Sequence, residues 1–176
     1  IDATLVQFVP KLEVIAARTS PWPDDLRARI VILARNDAAI TLDELGHLDV
    51  EIGARFADAA LALLREANVG PHAITALGSH GQTVCHRPSG PYPFTLQLGD
   101  PNVIAERTGI VTVADFRRAD VAAGGQGAPL LPALHAAVLP DADAPRAILN
   151  LGGIAPLTLL VPGPPRSDKR RVGKEC

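Results

Sequence analysis

The stretch from Thr41 to Ala67 constrains this chain more than any other. Thr41 and Glu44 have the spacing of a capping box, in which hydroxyl and carboxylate satisfy each other's free backbone N–H groups. Behind them Leu45, Leu48, Ile52, Phe56, Ala59, Ala60 and Leu63 recur at three- and four-residue steps, so they share one helical face. Asn68 and Gly70 supply the stop. A long helix with one apolar face has to be answered by other elements, and most of the neighbouring segments read as strands.

Ahead of it, "ATLVQFV" (3–9) and "KLEVIAAR" (11–18) read as two strands joined tightly around Pro10, and "SPWP" ends the pair. Asp24 or Asp25 then opens a helix through "LRARIVILAR". Beyond it, "AITALGSHGQTVCHRP" reads as a buried strand, a polar corner and a second short strand. "YPFTLQLGD" is a strand running into a loop, and "PNVIAERTG" a short helix with Pro101 near its first position. "IVTVADF" reads as a buried β-branched strand, and "APLLPALHAAVL" as a helix with Pro129 in its first turn and Pro132 still early enough to be tolerated. "AILNLGG" and "APLTLLV" form a last strand pair turning at Gly152 and Gly153. Strands and helices alternate after an opening strand pair, so the predicted class is α/β.

Length and composition narrow the function. A chain of 176 residues suffices for one ordinary domain with its own core, and 47% apolar against 20% charged residues is globular. A net charge of −2 argues against a nucleic-acid surface. No apolar run reaches the roughly 18 residues of a membrane span, and the first residues lack the order of a signal peptide. With only Cys85 and Cys176 there is no disulfide framework, which makes a reducing cytoplasm the expected compartment. The chain has no methionine and opens inside a strand pattern, so we expect it to be truncated at both ends. Lys11 is the sole lysine before Lys169, and the abrupt shift to a basic end marks 163–176 as a non-native or read-through tail.

Three polar corners end apolar strands, where α/β folds bind their ligands. "GSHGQT" (78–83) combines two glycines with the donors and acceptors of Ser79, His80, Gln82 and Thr83; it also reads as a plain polar turn. His80, Cys85 and His86 lack a fourth ligand at zinc spacing, so no metal is assigned. In "DFRRADVAAGGQG", Arg117 and Arg118 can fork onto carboxylates or phosphates and Asp115 and Asp120 can accept sugar hydroxyls; the same four charges can instead form two internal ion pairs. Gly124, Gly125 and Gly127 precede a helix, without the lysine and hydroxyl of a P-loop. "NLGGI" (150–154) is the third corner, and taken alone it is a hairpin turn.

The order of these blocks, "GSHGQTVCHRP", then "TLQLGDPNVIAERTGIVTVADFRRADVAAGGQGAPLLPALH", then "ILNLGGIAPLTLL", resembles the anhydro-N-acetylmuramic acid kinase family over about residues 1 to 160. That resemblance implies an actin/hexokinase-like (ribonuclease H-like) lobe with a mixed sheet and flanking helices. It divides the chain into an N-terminal lobe over 1–145, lacking its first strand and phosphate loop, and the start of a second lobe over 146–162. It implies an ATP- and Mg²⁺-dependent phosphorylation of O6 of 1,6-anhydro-N-acetylmuramic acid with opening of the anhydro ring. Its partners would be the amino sugar and ATP, with no nucleic acid and no membrane; a homodimer is compatible with it. Carried over residue by residue, the sugar would be held by His80, Gln82, Thr83, Asp115, Arg117, Arg118, Asp120, Gln126 and Gly127. The nucleotide would meet Asp2, Asn150, Gly152 and Gly153. The family's "GTSxDG" loop and its "FDTGPGN"-like motif with the general-base aspartate are not in these residues, so no catalytic residue is assigned. Pro156 also stands where the family has asparagine after "GGIA".

Two other readings remain at this stage: another ATP-using enzyme of the actin-like fold, and a non-catalytic sugar-binding module built from one lobe. The "DFRRADVAAGGQGAPL" block speaks against the first. Extending the sequence at both ends separates kinase from module.

Overall fold

The structure, a computed structural model, describes residues 1–35, 39–139, 143–149 and 157–161. The chain opens with the expected hairpin. β1 (Asp2–Gln7) pairs antiparallel with β2 (Glu13–Thr19), Asp2 opposite Thr19, with a register shift between Leu5 and Val6. Helix α1 (Asp24–Arg35) carries acid in its first turn and arginine in its last, as the helix dipole favours.

Helix α2 (Leu42–Glu66) runs as its periodicity predicts, but its capping box is half made. Thr41 Oγ1 accepts from the Glu44 N–H at 3.1 Å. The Glu44 carboxylate is taken instead by Arg29 of α1, whose guanidinium also reaches Glu51, each at 2.7 Å. A cationic guanidinium outcompetes the uncharged donor that a backbone N–H offers to the carboxylate. At the far end Asn68 adopts a φ of 55°, its N–H bonding the Arg65 carbonyl and that of Val69 the Leu64 carbonyl. That double bond pattern is a Schellman motif, and asparagine is among the few residues that tolerate its left-handed position.

The buried face of α2 makes the core. Leu48 and Ile52 meet Leu26 and Ile30 of α1 together with Val84 and Leu98, and Trp22, Leu33, Leu45, Phe56 and Leu96 close the margin. The Trp22 and Phe56 rings lie 5.7 Å apart in a tilted pair. Each fully buried leucine or isoleucine contributes about 1.5–3 kcal/mol by leaving water.

The middle of the chain supplies β3 (Leu77–Ser79), β4 (Gln82–Arg87), β5 (Phe94–Leu98), α3 (Pro101–Thr108), β6 (Thr112–Ala114) and α4 (Arg118–Ala122). β3 and β6 run parallel, Ser79 opposite Ala114. β4 and β5 form an antiparallel hairpin with a bulge between Thr83 and Cys85. Pro101 takes an early position of α3, as expected, behind an Asp100 cap that accepts from the Asn102 N–H at 2.8 Å. Helix α2 fixes the β5–α3 corner: Asp49 Oδ1 accepts from the Gly99 N–H at 2.7 Å, and the Asp49 carbonyl from the Asp100 N–H at 3.1 Å. Gly99 has a φ of 118°, and a Cβ there would lie 2.7 Å from the Phe56 ring, so only glycine fits.

Helices with parallel and antiparallel ladders make the molecule α/β, yet three expectations change. Among the described residues the strands hydrogen-bond two by two rather than in one mixed sheet: β1–β2 and β4–β5 are local hairpins, and β3–β6 joins distant segments. "IVTVADF" yields a three-residue strand that leaves Val111 70% and Val113 49% exposed, so it is not buried on both faces. "RADVA" coils into one helical turn inside what the sequence reads as a polar corner.

Packing separates Ile1–Gly127 from a second unit that begins at Ala128. That unit holds α5 (Leu131–Val138) and the antiparallel pair β7 (Arg146–Leu149) and β8 (Leu157–Leu160). Pro129 precedes α5, and Pro132 is the proline in its first turn. The expected turn at Gly152 and Gly153 and the tail at 163–176 lie outside the described residues. Among the described residues no helix is long and apolar enough to cross a membrane.

Candidate substrate-binding corner

Parallel pairing of β3 and β6 sets Ser79 beside Ala114, so His80 and Asp115 leave the same end of the two strands. Ligands of α/β proteins bind at such carboxyl ends. Asp115 bends the chain there with a φ of 60°, a conformation that its short polar side chain tolerates. The turn delivers Arg117 back toward β3, where its Nε donates to His80 Nε2 at 2.8 Å. His80 Nδ1 lies 2.8 Å from the Gly81 carbonyl oxygen. A carbonyl only accepts, so Nδ1 carries the proton and Nε2 is the acceptor for Arg117.

Arg117 Nη1 also donates to the Gly127 carbonyl, while Asp120 Oδ2 accepts from the Gly127 N–H at 2.7 Å. The Gly127 residue is thus gripped at both its carbonyl and its amide. Its φ of 64° is left-handed, and a Cβ would lie 2.8 Å from a Val121 methyl. The Gly125 N–H bonds the Asp120 carbonyl at 2.7 Å, which wraps the glycine turn around the end of α4. Partial burial lowers the Arg117 pKa from its ordinary value, though a guanidinium stays charged.

Arg118 and Asp115 are arranged differently. Their side chains are 56% and 52% exposed, and Arg118 Nε stands 3.6 Å from Asp115 Oδ1, a loose pair. Arg117, Asp120 and His80 therefore build the corner, while Arg118 and Asp115 are exposed and only loosely paired. Gln126 is half-buried in the turn.

On the adjoining hairpin, Gln82 Nε2 donates to the Thr83 carbonyl at 3.2 Å. Thr83 Oγ1 accepts from Gln97 Nε2 at 3.2 Å, and the same amide donates to Thr95 Oγ1 at 2.8 Å. Thr95 Oγ1 in turn lies 3.0 Å from His86 Nδ1. The sequence reading missed Gln97 and Thr95. A signal existed, since in "TLQL" polar residues alternate with leucines, but only the register sets Gln97 opposite Thr83.

Of the residues assigned to the nucleotide, Asp2 is the one among the described residues. The Asp2 carboxylate accepts from the Thr19 hydroxyl across the first hairpin at 2.7 Å. Asn150, Gly152 and Gly153 lie outside the described residues. Among the described residues no three of His, Cys, Asp and Glu converge on a metal position. Mg²⁺ in kinases is carried by one or two carboxylates plus substrate phosphates, so the fit of that ion here rests on no preformed cage.

Helices combined with parallel and antiparallel strand ladders put the chain in the α/β class. Comparison with known proteins is more specific. The family model for anhydro-N-acetylmuramic acid kinase matches residues 1–168. A protein of that name from Xylella fastidiosa (strain Temecula1 / ATCC 700964) is 54% identical over 164 residues, covering 91% of this chain and 43% of its own length. Its namesake in Xanthomonas campestris pv. campestris (strain 8004) is 52% identical over 164 residues, 91% of this chain and 44% of that protein. The one in Coxiella burnetii (strain Dugway 5J108-111) is 50% identical over 167 residues, 95% of this chain and 44% of that protein. The chain belongs to the anhydro-N-acetylmuramic acid kinase family, and it spans under half the length of these curated relatives.

Proposed function

We propose that the protein carrying this chain is a cytoplasmic, ATP-dependent kinase that phosphorylates O6 of 1,6-anhydro-N-acetylmuramic acid while water opens the anhydro ring. The observation that carries this reading is 50–54% identity over 91–95% of the chain to proteins named for that kinase activity. The oxygen of water bonds to the anomeric carbon as the bond from that carbon to O6 breaks. A general base takes the water proton, and O6 bonds to the γ-phosphorus as its bond to the bridging oxygen of ADP breaks. The products are N-acetylmuramic acid 6-phosphate and ADP.

Phosphoryl transfer is chiefly positioning and charge neutralisation, the latter the contribution of Mg²⁺ when bound. The residues of this chain would do the positioning. Arg118 is the natural partner for the lactyl carboxylate, being cationic, outward-facing and only loosely paired. Asp115, His80, Gln82, Thr83 and Gln126 would meet sugar hydroxyl and amide groups. Arg117, Asp120 and Gly127 would hold the wall against which the sugar lies. Residues 1–145 would form the N-terminal lobe of an actin/hexokinase-like fold and 146–162 the start of the second. Asp2, Asn150, Gly152 and Gly153 would stand toward the nucleotide. The general base would come from an "FDTGPGN"-like segment that is not within these residues.

The test compares residues 1–176 with the protein extended to the length of its relatives. The extended protein should convert the anhydro sugar and ATP to the 6-phosphate and ADP, and residues 1–176 alone should not. Product from residues 1–176 would refute the division of labour. An extended protein that binds the sugar but transfers no phosphate would favour a sugar-binding module.

A further inference from the structure

Gln97 belongs to no polar corner of the sequence, yet it touches the candidate site in two independent ways. Its Nε2 donates to Thr83 Oγ1 at 3.2 Å and to Thr95 Oγ1 at 2.8 Å, with Thr95 only 3% exposed. The backbone at Gly81, beside His80, is pressed onto the same residue: a Cβ there would lie 2.9 Å from Gln97 Cβ and 3.0 Å from the Leu98 carbonyl oxygen. Gly81 holds a φ of 74°, so the chain turns from β3 into β4 directly against the β5 strand at Gln97.

A threonine hydroxyl has one proton and two acceptor lone pairs, and its proton rotates to suit its neighbours. When an amide N–H donates to the oxygen, one lone pair is occupied and the hydroxyl proton is turned away from that donor. We propose that Gln97 is a positioning residue for sugar recognition: it fixes the Thr83 hydroxyl as a hydrogen-bond donor toward an oxygen of the bound amino sugar. Thr95 anchors the other side of the same amide, so Gln97 holds one rotamer, and the Thr95–His86 contact at 3.0 Å steadies that anchor. The assignment rests on the sugar-kinase reading above and adds to it a residue that touches no substrate.

The experiment measures binding of 1,6-anhydro-N-acetylmuramic acid and of ATP to the full-length protein by calorimetry, for wild type, Gln97→Met, Thr83→Val and the double variant, each with a melting curve. Loss of one oriented neutral hydrogen bond should weaken sugar binding roughly three- to tenfold in Gln97→Met. ATP affinity should be unchanged, and once Thr83 is valine the Gln97→Met change should have no further effect on the sugar. A purely structural Gln97 would instead lower the melting temperature and shift both ligands, or act on the sugar equally with and without the Thr83 hydroxyl. Gln97→Glu provides a second probe: a carboxylate only accepts, so it draws the Thr83 proton inward and should reproduce the sugar defect. Sugar affinity kept in both Gln97 variants of a sugar-binding wild type overturns the assignment alone. A folded wild type that binds no anhydro sugar overturns the sugar-kinase reading and this assignment with it.

Discussion

Two glycine corners in the first unit are each held by one aspartate, and they are held for different purposes. Asp49 reaches across from α2 to the Gly99 N–H at 2.7 Å, fifty residues away in sequence, over the buried Ile52 and the Phe56 ring. Asp120 takes the Gly127 N–H at the same 2.7 Å but from seven residues upstream, in a corner whose charged side chains other than Arg117 are exposed. The first contact joins distant parts of the chain above a closed core, so its energy is folding energy. The second closes a local loop and leaves Asp115 and Arg118 exposed. One hydrogen-bond motif therefore serves stability in one place and the shaping of a surface in the other.

The strongest way to break this comparison is to place a methyl group in each corner. Gly99→Ala meets Phe56 at 2.7 Å on a backbone of φ 118° and should cost roughly 3–5 kcal/mol. Gly124→Ala, on the open rim of the Asp120 turn rather than at the gripped Gly127, has a φ of 84° with nothing within 4 Å and meets only left-handed strain. It should cost about 1–2 kcal/mol. Urea unfolding of the two variants side by side checks this; equal losses would mean that the two corners are equally structural.

Next in size is Arg118→Ala in the full-length protein. Its pair with Asp115 is exposed and long, so stability should change by about 1 kcal/mol or less. Sugar binding should lose one charge-assisted bond, about 1.5–3 kcal/mol or a ten- to hundredfold rise in dissociation constant, with ATP binding unaffected. Calorimetry with both ligands beside a melting curve separates the outcomes. A lowered melting temperature with sugar affinity intact would move Arg118 to the structural side of the comparison.

The smallest effect sharpens the core side. Arg29 holds the Glu44 carboxylate below the ordinary carboxylate range by hydrogen bonding. A depressed carboxylate stabilises the fold at pH above its unfolded pKa, and that stability is lost as pH falls through the folded value. Arg29 is itself raised by Glu44 and Glu51, so its contribution persists through neutral pH. Glu44→Gln should therefore flatten the loss of stability between mildly acidic and strongly acidic pH, and an acid titration of melting temperature shows whether it does.

Much of the core side was legible in the sequence. Three- and four-residue steps placed the α2 face, Thr41 and Asn68 marked its ends, and Pro101 marked the start of α3. These are signals within one segment. Glu44 was misread because its true partner, Arg29, lies on another helix. The candidate corner was legible as composition but not as roles. Nothing in "DFRRAD" says that Arg117 turns back to His80 and Gly127 while Arg118 faces out, since both follow the same strand and differ only after Asp115 bends the chain. Gln97 was hidden for a related reason: in an alternating strand a polar residue reads as solvent-facing, and only register gives it a partner. The opening and closing strand pairs were legible as pairs, but the parallel partnership of β3 and β6 was not, because which distant strands become neighbours is decided by packing.

The backbone at Asp115 has a consequence for how this surface can drift over generations. A position at φ 60° favours glycine, asparagine and aspartate before any ligand is considered. If the pocket also requires a carboxylate there, the acceptable alphabet at that position shrinks to one letter. A change to glutamate keeps the charge and loses the bend, while a change to asparagine keeps the bend and loses the charge. Lineages that abandon the anionic group would then pass through asparagine or glycine first, leaving the fold of the turn as a relic of the chemistry it once served.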